Sequence, residues 1–107
     1  MSIMKNNIEC PAERAIYFLG GKWKIRILFY LFNNKIVRFN KLKKELKTIT
    51  QQMLSKQLKE LEIDGIINRE VHQVVPPKVE YCLTEFGLSV IPILKSFSDW
   101  NKKNTRT

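Results

Sequence analysis

Residues 48–67, TITQQMLSKQLKELEIDGII, contain the start, the apolar side and the end of a single helix. Thr50 is a suitable N-cap because its hydroxyl can accept a hydrogen bond from a backbone amide of the first turn. Gly65, which follows Asp64, suits the left-handed conformation that commonly ends a helix. Leucines recur at intervals of three and four residues and predict the buried side. They are Leu54, Leu58 and Leu61. We therefore predict a helix from Thr50 to Asp64.

The opposite side of this helix carries uncharged polar and basic side chains. Such residues suit direct contact with a DNA groove, because glutamine can pair with adenine, serine with several base edges, and lysine with guanine or phosphate. The candidates for groove contact are Thr50, Gln51, Gln52, Ser55, Lys56 and Lys59. A solvated amphipathic helix would explain the leucine stripe equally well, but it would not explain the segments on either side.

The segments on either side predict a helix-turn-helix followed by a β-hairpin. Residues 39–47, FNKLKKELK, place three apolar residues on one side of a helix whose other sides are mostly lysine. Residues 66–74 and 78–84 contain β-branched and aromatic residues at alternate positions, and the prolines between them belong at an exposed tip. The predicted fold class is mainly α with a small β-hairpin, a winged helix-turn-helix.

Elements before this motif are also predicted by their composition. Residues 10–21, CPAERAIYFLGG, start a helix at Pro11 and end it at the paired glycines. Residues 22–32, KWKIRILFYLF, become apolar all round, which indicates a helix buried on most sides. Residues 35–39, KIVRF, are prone to form a brief strand.

A last helix is predicted over residues 85–103, with Thr84 as its cap and Pro92 expected to kink it or split it near residues 89–91. Its apolar stripe is wider than one side of a small domain needs, so the surplus indicates a partner surface. To this partner surface we assign Ile91, Leu94, Phe97 and Trp100.

The positive charge is concentrated in the middle of the chain. The 107 residues, enough for one domain, have a formal net charge of +9. Residues 22–59 contain eleven Lys and Arg and a single acid, Glu45. This concentration indicates contact with a polyanion such as DNA, although a solvated basic surface would show the same composition. Lys22, Arg38 and Lys78 are candidates for phosphate contacts that set register without selecting sequence. We expect one domain over residues 1–107, with a core at about 10–100 and short flexible ends.

No catalytic or membrane signal accompanies this charge. The only histidine, His72, lacks a metal partner at helical spacing and a nucleophile motif, and there is no glycine-rich phosphate loop. We expect neither an enzyme nor a cofactor or metal. The longest apolar run, residues 27–32, is far too short to span a membrane, and the first residues lack the apolar region of a signal peptide. A cytoplasmic protein is expected.

The two cysteines differ in their expected environments. Cys10 lies at a helix N-terminus, one turn from Arg14, and both features would stabilise a thiolate and favour oxidation or alkylation. It is therefore either a redox sensor or an inert small residue. Cys82 should point to the face of its strand opposite Tyr81 and Leu83, and an inert role is favoured there.

Four segments of the chain resemble the HxlR-type family of bacterial winged helix-turn-helix regulators. They are CPAERAIYFLGGKWKIRIL, RFNKLKKEL, ITQQMLSKQLKELEIDGII and VPPKVEYCLTEFG, in the family's order. The resemblance implies a homodimeric transcription factor whose helix from Thr50 to Asp64 enters the major groove of double-stranded DNA. It also implies that the terminal helices form the dimer, and that Cys10 responds to a small electrophile or oxidant.

The sequence departs from that family in its second cysteine. No cysteine follows Cys82 or lies in the lysine-rich helix, so a bridge between subunits would join Cys10 to Cys10 or Cys82 of the partner subunit. Otherwise the thiol would react with a small molecule. Two other functions stay open: a protein-interaction module with a non-specific basic surface, and non-specific or RNA binding. Against RNA, most aromatic residues fall on core stripes.

Overall fold

The computed structural model describes residues 10–104; residues 1–9 and 105–107, the ends expected to be flexible, lie outside the described part. Its helices are α1 (Pro11–Leu19), α2 (Lys24–Asn34), α3 (Phe39–Leu46), α4 (Gln51–Ile63) and α5 (Glu85–Asn104). Its strands are β1 (Val37–Arg38), β2 (Ile67–His72) and β3 (Lys78–Leu83). The predicted fold class, mainly helical with a small β-hairpin, is confirmed.

The core is built around α2, whose residues Ile27, Leu28 and Leu31 are almost completely buried. Leucines of α3 and α4, residues of the sheet and the first half of α5 pack against it. In contrast, α1 contributes no buried residue, although it has a strongly apolar side. The prediction that residues 22–32 form the central helix is therefore confirmed, and α1 is left with an apolar side that the core does not cover.

Helices α3 and α4 are joined by a short turn, as the sequence predicts. The hydroxyl of Thr50 accepts a hydrogen bond from the amide of Met53 at 3.1 Å, so Thr50 is the N-cap of α4. The helix ends before Gly65, whose φ of 76° lies in the left-handed region. Both ends of the helix thus follow from local side-chain and backbone chemistry.

The sheet has three antiparallel strands in the order β1-β3-β2. The hairpin of β2 and β3, which with residues 73–77 we call the wing, pairs Ile67 with Leu83 at its base and His72 with Lys78 near its tip. The brief strand predicted at residues 35–39 forms and pairs with β3, Val37 opposite Tyr81. Because Val37, Ile67 and Tyr81 are buried, this end of the wing is fixed to the core.

Two lysines outside the helices have an unusual backbone conformation. Lys35 has φ 68° and ψ −64°, and the amide of Ile36 donates to the carbonyl of Asn34 at 2.8 Å. Lys47 has φ 62° and ψ −72°, and the amide of Thr48 donates to the carbonyl of Leu46 at 2.7 Å. Both are γ-turns of the strained type with positive φ, and they stand before β1 and after α3.

Helix α5 is continuous through Pro92, so of the two expected outcomes near residues 89–91, a kink or a split, the split does not occur. Its N-cap is Thr84, as predicted: the hydroxyl accepts from the amide of Gly87 at 2.9 Å. The same hydroxyl donates to the carbonyls of Gly65 at 2.6 Å and Ile66 at 3.1 Å. The start of α5 is therefore hydrogen-bonded to the turn that ends α4. None of the helices within residues 10–104 has the length and apolar character needed to cross a membrane.

Candidate nucleic-acid interface

Helix α4 separates its apolar and polar sides cleanly. Leu54, Leu58 and Leu61 are buried in the core. The residues that the sequence nominates for groove contact are all exposed: Thr50, Gln51, Gln52, Ser55, Lys56 and Lys59. With its leucines fixed, the helix cannot rotate without exposing them, so its polar side is held at a defined angle to the surface.

An ion pair between a buried lysine and a half-exposed glutamate joins α2 to α4. Lys24, in the first turn of α2, is only 6% exposed, and its ammonium lies 2.7 Å from a carboxylate oxygen of Glu60 on α4. A lysine is rarely buried unless it is paired. Sequence reasoning grouped Lys24 with the other basic residues of this segment and did not identify it as a structural residue. The only indication of this structural role in the sequence is that Lys24 lies close to the apolar run of residues 27–32.

A cleft separates α4 from the wing, and it divides the polar side of the helix. This helix–wing cleft has a volume of about 530 Å³. Its lining is Phe39, Gln51, Ser55, Lys59, Glu62, Arg69, Val79 and Tyr81. Gln51, Ser55 and Lys59 thus face the cleft, whereas Gln52 and Lys56 stand outside its lining.

Arg69 is a cleft residue that the sequence did not single out. It lies on β2 opposite Tyr81, and by strand alternation it shares a face with the buried Ile67. Between Asn68 and Glu70 in the sequence, Arg69 resembles an ordinary solvent-facing charge. Only the packing of the wing beside α4 shows that this face of the hairpin turns toward α4.

The other predicted phosphate contacts lie on separate elements. Lys22 is exposed between α1 and α2, and its ammonium lies 4.9 Å from the centroid of the Trp23 ring. Arg38 is exposed at the end of β1, directly before α3. Lys78 is half-buried at the start of β3, next to the wing tip. Their phosphate contacts stay predictions.

The opposite face of the wing carries the histidine. The Nε2 atom of His72 lies 2.7 Å from a carboxylate oxygen of Glu80 and 3.9 Å from one of Glu70, which is the cross-strand partner of Glu80. His72 is half-buried and hydrogen-bonded to Glu80. Within residues 10–104 no group of three His, Cys, Asp or Glu side chains is arranged to hold a metal ion.

An apolar groove lies between the first and last helices, and we call it the terminal-helix groove. Its volume is about 700 Å³. Helix α1 lines it with Ala12, Ala15, Ile16 and Leu19, α5 with Phe86, Val90, Ile93, Leu94 and Phe97, and Ile25 and Ile66 are among the remaining lining residues. Cys10, exposed, stands immediately before α1.

The burial of α5 corrects two of its four predicted interface residues. Ile91 and Leu94 are each 2% exposed because they pack in the core of their own chain, and they have no surface to offer a partner. Phe97 and Trp100 are 55% and 64% exposed. Exposed apolar side chains that the sequence did not assign to a partner surface, Ile16, Phe86 and Ile93, lie along the same groove.

A short turn between two helices, a polar and basic outer helix face and an adjacent hairpin define a winged helix-turn-helix protein of the DNA-binding class. The chain belongs to the HxlR-like helix-turn-helix family, whose model matches residues 18–107. The family resemblance noted in the sequence is thereby confirmed. The protein is a transcriptional regulator of the helix-turn-helix type, as its relatives are, and not an enzyme.

Individual relatives are similar to this chain over most of its length. The helix-turn-helix transcriptional regulator YdeP of Bacillus subtilis (strain 168) is 50% identical over 94 residues, which cover 88% of this chain and 73% of YdeP. The redox regulator HypR in its oxidised form superposes with a TM-score of 0.81 and 44% identity, covering 92% of this chain and 100% of that one. The reduced form of the regulator YodB from B. subtilis superposes with a TM-score of 0.83 and 32% sequence identity, covering 92% of this chain and 97% of that one.

Proposed function

We propose that the protein is a homodimeric, sequence-specific regulator that binds a near-palindromic operator, and that modification of Cys10 controls its binding. The observation that carries this proposal is the geometry of α4. Its leucines and the Lys24–Glu60 pair fix one side of the helix, while Gln52, Lys56 and their neighbours stand exposed beside the wing.

On DNA, α4 enters the major groove and the wing lies alongside it. Gln52 and Ser55 contact base edges, and Arg38 and Lys22 contact phosphates. In a two-fold dimer the two copies of α4 contact half-sites about 34–36 Å apart, one helical turn of DNA. An operator for such a dimer has the matching two-fold symmetry.

The dimer forms through the terminal helices. Phe97 and Trp100 of α5 and Ile16 of α1 are exposed apolar side chains along or next to the terminal-helix groove. Contiguous apolar surface of this kind marks a protein interface more often than an isolated exposed residue does. A second copy that covers the groove removes these side chains from water.

Control through Cys10 rests on the position of this residue. Its thiol is exposed, and its carbonyl accepts the amide of Arg14 at 3.0 Å as the first hydrogen bond of α1. The similar protein HypR is described in oxidised and reduced forms, and YodB in reduced and diamide-treated forms. A bridge to Cys10 or Cys82 of a second copy, or an adduct with a small electrophile or oxidant, would change how α1 packs in the dimer. A shift of one or two ångströms there displaces both copies of α4 from their half-sites.

The test is a selection of bound fragments from random duplex DNA, run with reduced protein, with diamide-treated protein and with Cys10→Ser. We expect a near-palindromic sequence with reduced protein, a large loss of its recovery after diamide, and no effect of diamide on Cys10→Ser. Unchanged recovery after diamide would remove the thiol control and leave the DNA-binding proposal standing. If no sequence is preferentially recovered, the proposal that the protein binds a specific operator is wrong.

A further inference from the structure

The helix–wing cleft has a cation on each of its two walls. Lys59 lies on α4 and Arg69 on β2, and both side chains are exposed. Among residues 10–104 neither is within 4 Å of a carboxylate. The one acid in the cleft lining, Glu62, is half-buried and follows Lys59 by three positions on α4. The lining therefore contains two cations, neither in an ion pair, and one carboxylate.

This arrangement differs from the outer side of α4. Gln52 and Lys56 stand outside the cleft. In a DNA groove they would face the base edges. When α4 enters a groove and the wing lies beside it, the DNA strand that borders the groove runs between helix and wing. A phosphate is the part of that strand with full negative charge, and a guanidinium can hold it through two parallel hydrogen bonds while an ammonium acts as a point charge.

We propose that Lys59 and Arg69 hold one and the same backbone phosphate in the helix–wing cleft, from opposite walls. Arg69 is then a positioning residue that fixes the wing on the DNA strand, and Lys59 contacts phosphate and does not contact a base. This assignment rests on the proposed DNA-binding function and changes the role that sequence reasoning gave to Lys59. Gln52 and Lys56, which stand outside the cleft, are left as base-contacting residues together with Ser55.

The first test measures affinity against salt concentration for wild type, Lys59→Gln, Arg69→Gln and the double variant, on selected and on random-sequence duplexes. Each single variant should weaken both duplexes alike, by about tenfold. The slope of log affinity against log salt should fall by about 1.8 in the double variant, the value for one phosphate in each of the two half-sites of the dimer. A fall of about 3.6 means two separate phosphates in each half-site and overturns the proposal. So does a variant that weakens only the selected sequence.

Two matched variants guard against a general electrostatic effect. Glu62→Gln removes the one carboxylate of the cleft lining and should strengthen binding severalfold, the opposite sign to the other variants. Lys44→Gln removes an exposed cation of α3 that is not part of the cleft lining and should show no coupling to Arg69→Gln. Circular dichroism confirms that each variant is folded.

The second test locates the phosphate. In the selected duplex each phosphate is replaced in turn by an uncharged methylphosphonate. At one position per half-site the replacement should weaken wild type and Lys44→Gln about tenfold, and leave the double variant unchanged. If the replacement weakens the double variant as much as wild type at every position, Lys59 and Arg69 do not hold a common phosphate.

The two proposals fail in different ways. If wild type prefers no sequence, the operator is wrong, but the salt slope on random duplex still decides whether Lys59 and Arg69 share a phosphate. If wild type binds no duplex at all at 50 mM salt, both proposals are overturned.

Discussion

Lys24 is almost completely buried, so the free-energy cost of burying its charge depends on its partner, Glu60. Glu60→Gln leaves the ammonium of Lys24 buried without a carboxylate. We expect a loss of about 1–2 kcal/mol in the free energy of unfolding, since Glu60 is 38% exposed and water can partly replace it. Chemical denaturation measures this loss.

The double variant Lys24→Met/Glu60→Gln should lose less than Glu60→Gln alone. Methionine fills the same space without a charge, and removing both partners of a buried pair costs less than removing one. An equal or larger loss in the double variant would mean that the pair itself, and not the abandoned charge, stabilises the contact between α2 and α4.

The γ-turn at Lys47 makes a prediction of opposite sign. A non-glycine residue with φ 62° and ψ −72° is strained, at about 1–3 kcal/mol, whereas glycine adopts this conformation freely. Lys47→Gly should therefore raise the free energy of unfolding by about 1 kcal/mol after the entropy of glycine is subtracted. The control Lys44→Gly, within α3, should lower it by a similar amount. Thermal unfolding of both variants decides, and a loss in Lys47→Gly contradicts the prediction.

At the scale of elements, the joint between α4 and α5 is a close backbone contact, in which Gly87 of α5 lies against Ile66 in the turn that follows α4. A Cβ atom on Gly87 would overlap the carbonyl oxygen of Ile66, which also accepts from the hydroxyl of Thr84. A glycine within a helix normally makes the protein less stable than an alanine at the same position does. Here the close approach reverses that preference.

Gly87→Ala should accordingly lower the free energy of unfolding by about 1–3 kcal/mol, the range for overpacking. The control Ser98→Ala, exposed on the same helix, should change it by less than about 0.5 kcal/mol. The urea midpoint of both variants is the measurement. A gain of stability in Gly87→Ala would show that α5 can move away from Ile66 without cost, and that the joint is loose.

The elements with a local cause were predictable from the sequence. The cap at Thr50, the stop at Gly65 and the leucines of α4 act within one helix, so residues 48–67 are sufficient to indicate them. The pairing of β1 with β3 was not predictable, because Val37 and Tyr81 are far apart in the chain and two residues carry little pattern. The continuity of α5 through Pro92 also depends on packing, because the core holds α5 on both sides of the proline.

For the whole molecule, the limit of sequence reasoning lies in the wide apolar stripe of α5. At 100° per residue the stripe divides into two neighbouring halves. Gly87, Val90, Ile91 and Leu94 form the half that packs in the core, and Phe86, Ile93, Phe97 and Trp100 form the exposed half. Both halves consist of similar residues, so no composition could tell which one faces the chain's own core. This is why Ile91 and Leu94 were assigned to a partner.

The division of α5 leads to a prediction about assembly. Phe97→Glu/Trp100→Glu places two charges on the exposed half and should convert a dimer into single chains of 12.7 kDa, with the helical circular dichroism retained. Ser98→Glu/Lys102→Glu adds the same two side chains on the other side of the helix and should leave the dimer intact. Leu94→Ala, in the core half, should instead cost about 2–5 kcal/mol of unfolding free energy. Light scattering at several concentrations measures the mass. If the first pair of substitutions leaves the mass unchanged, or if wild type is already a single chain, the terminal helices do not form the dimer.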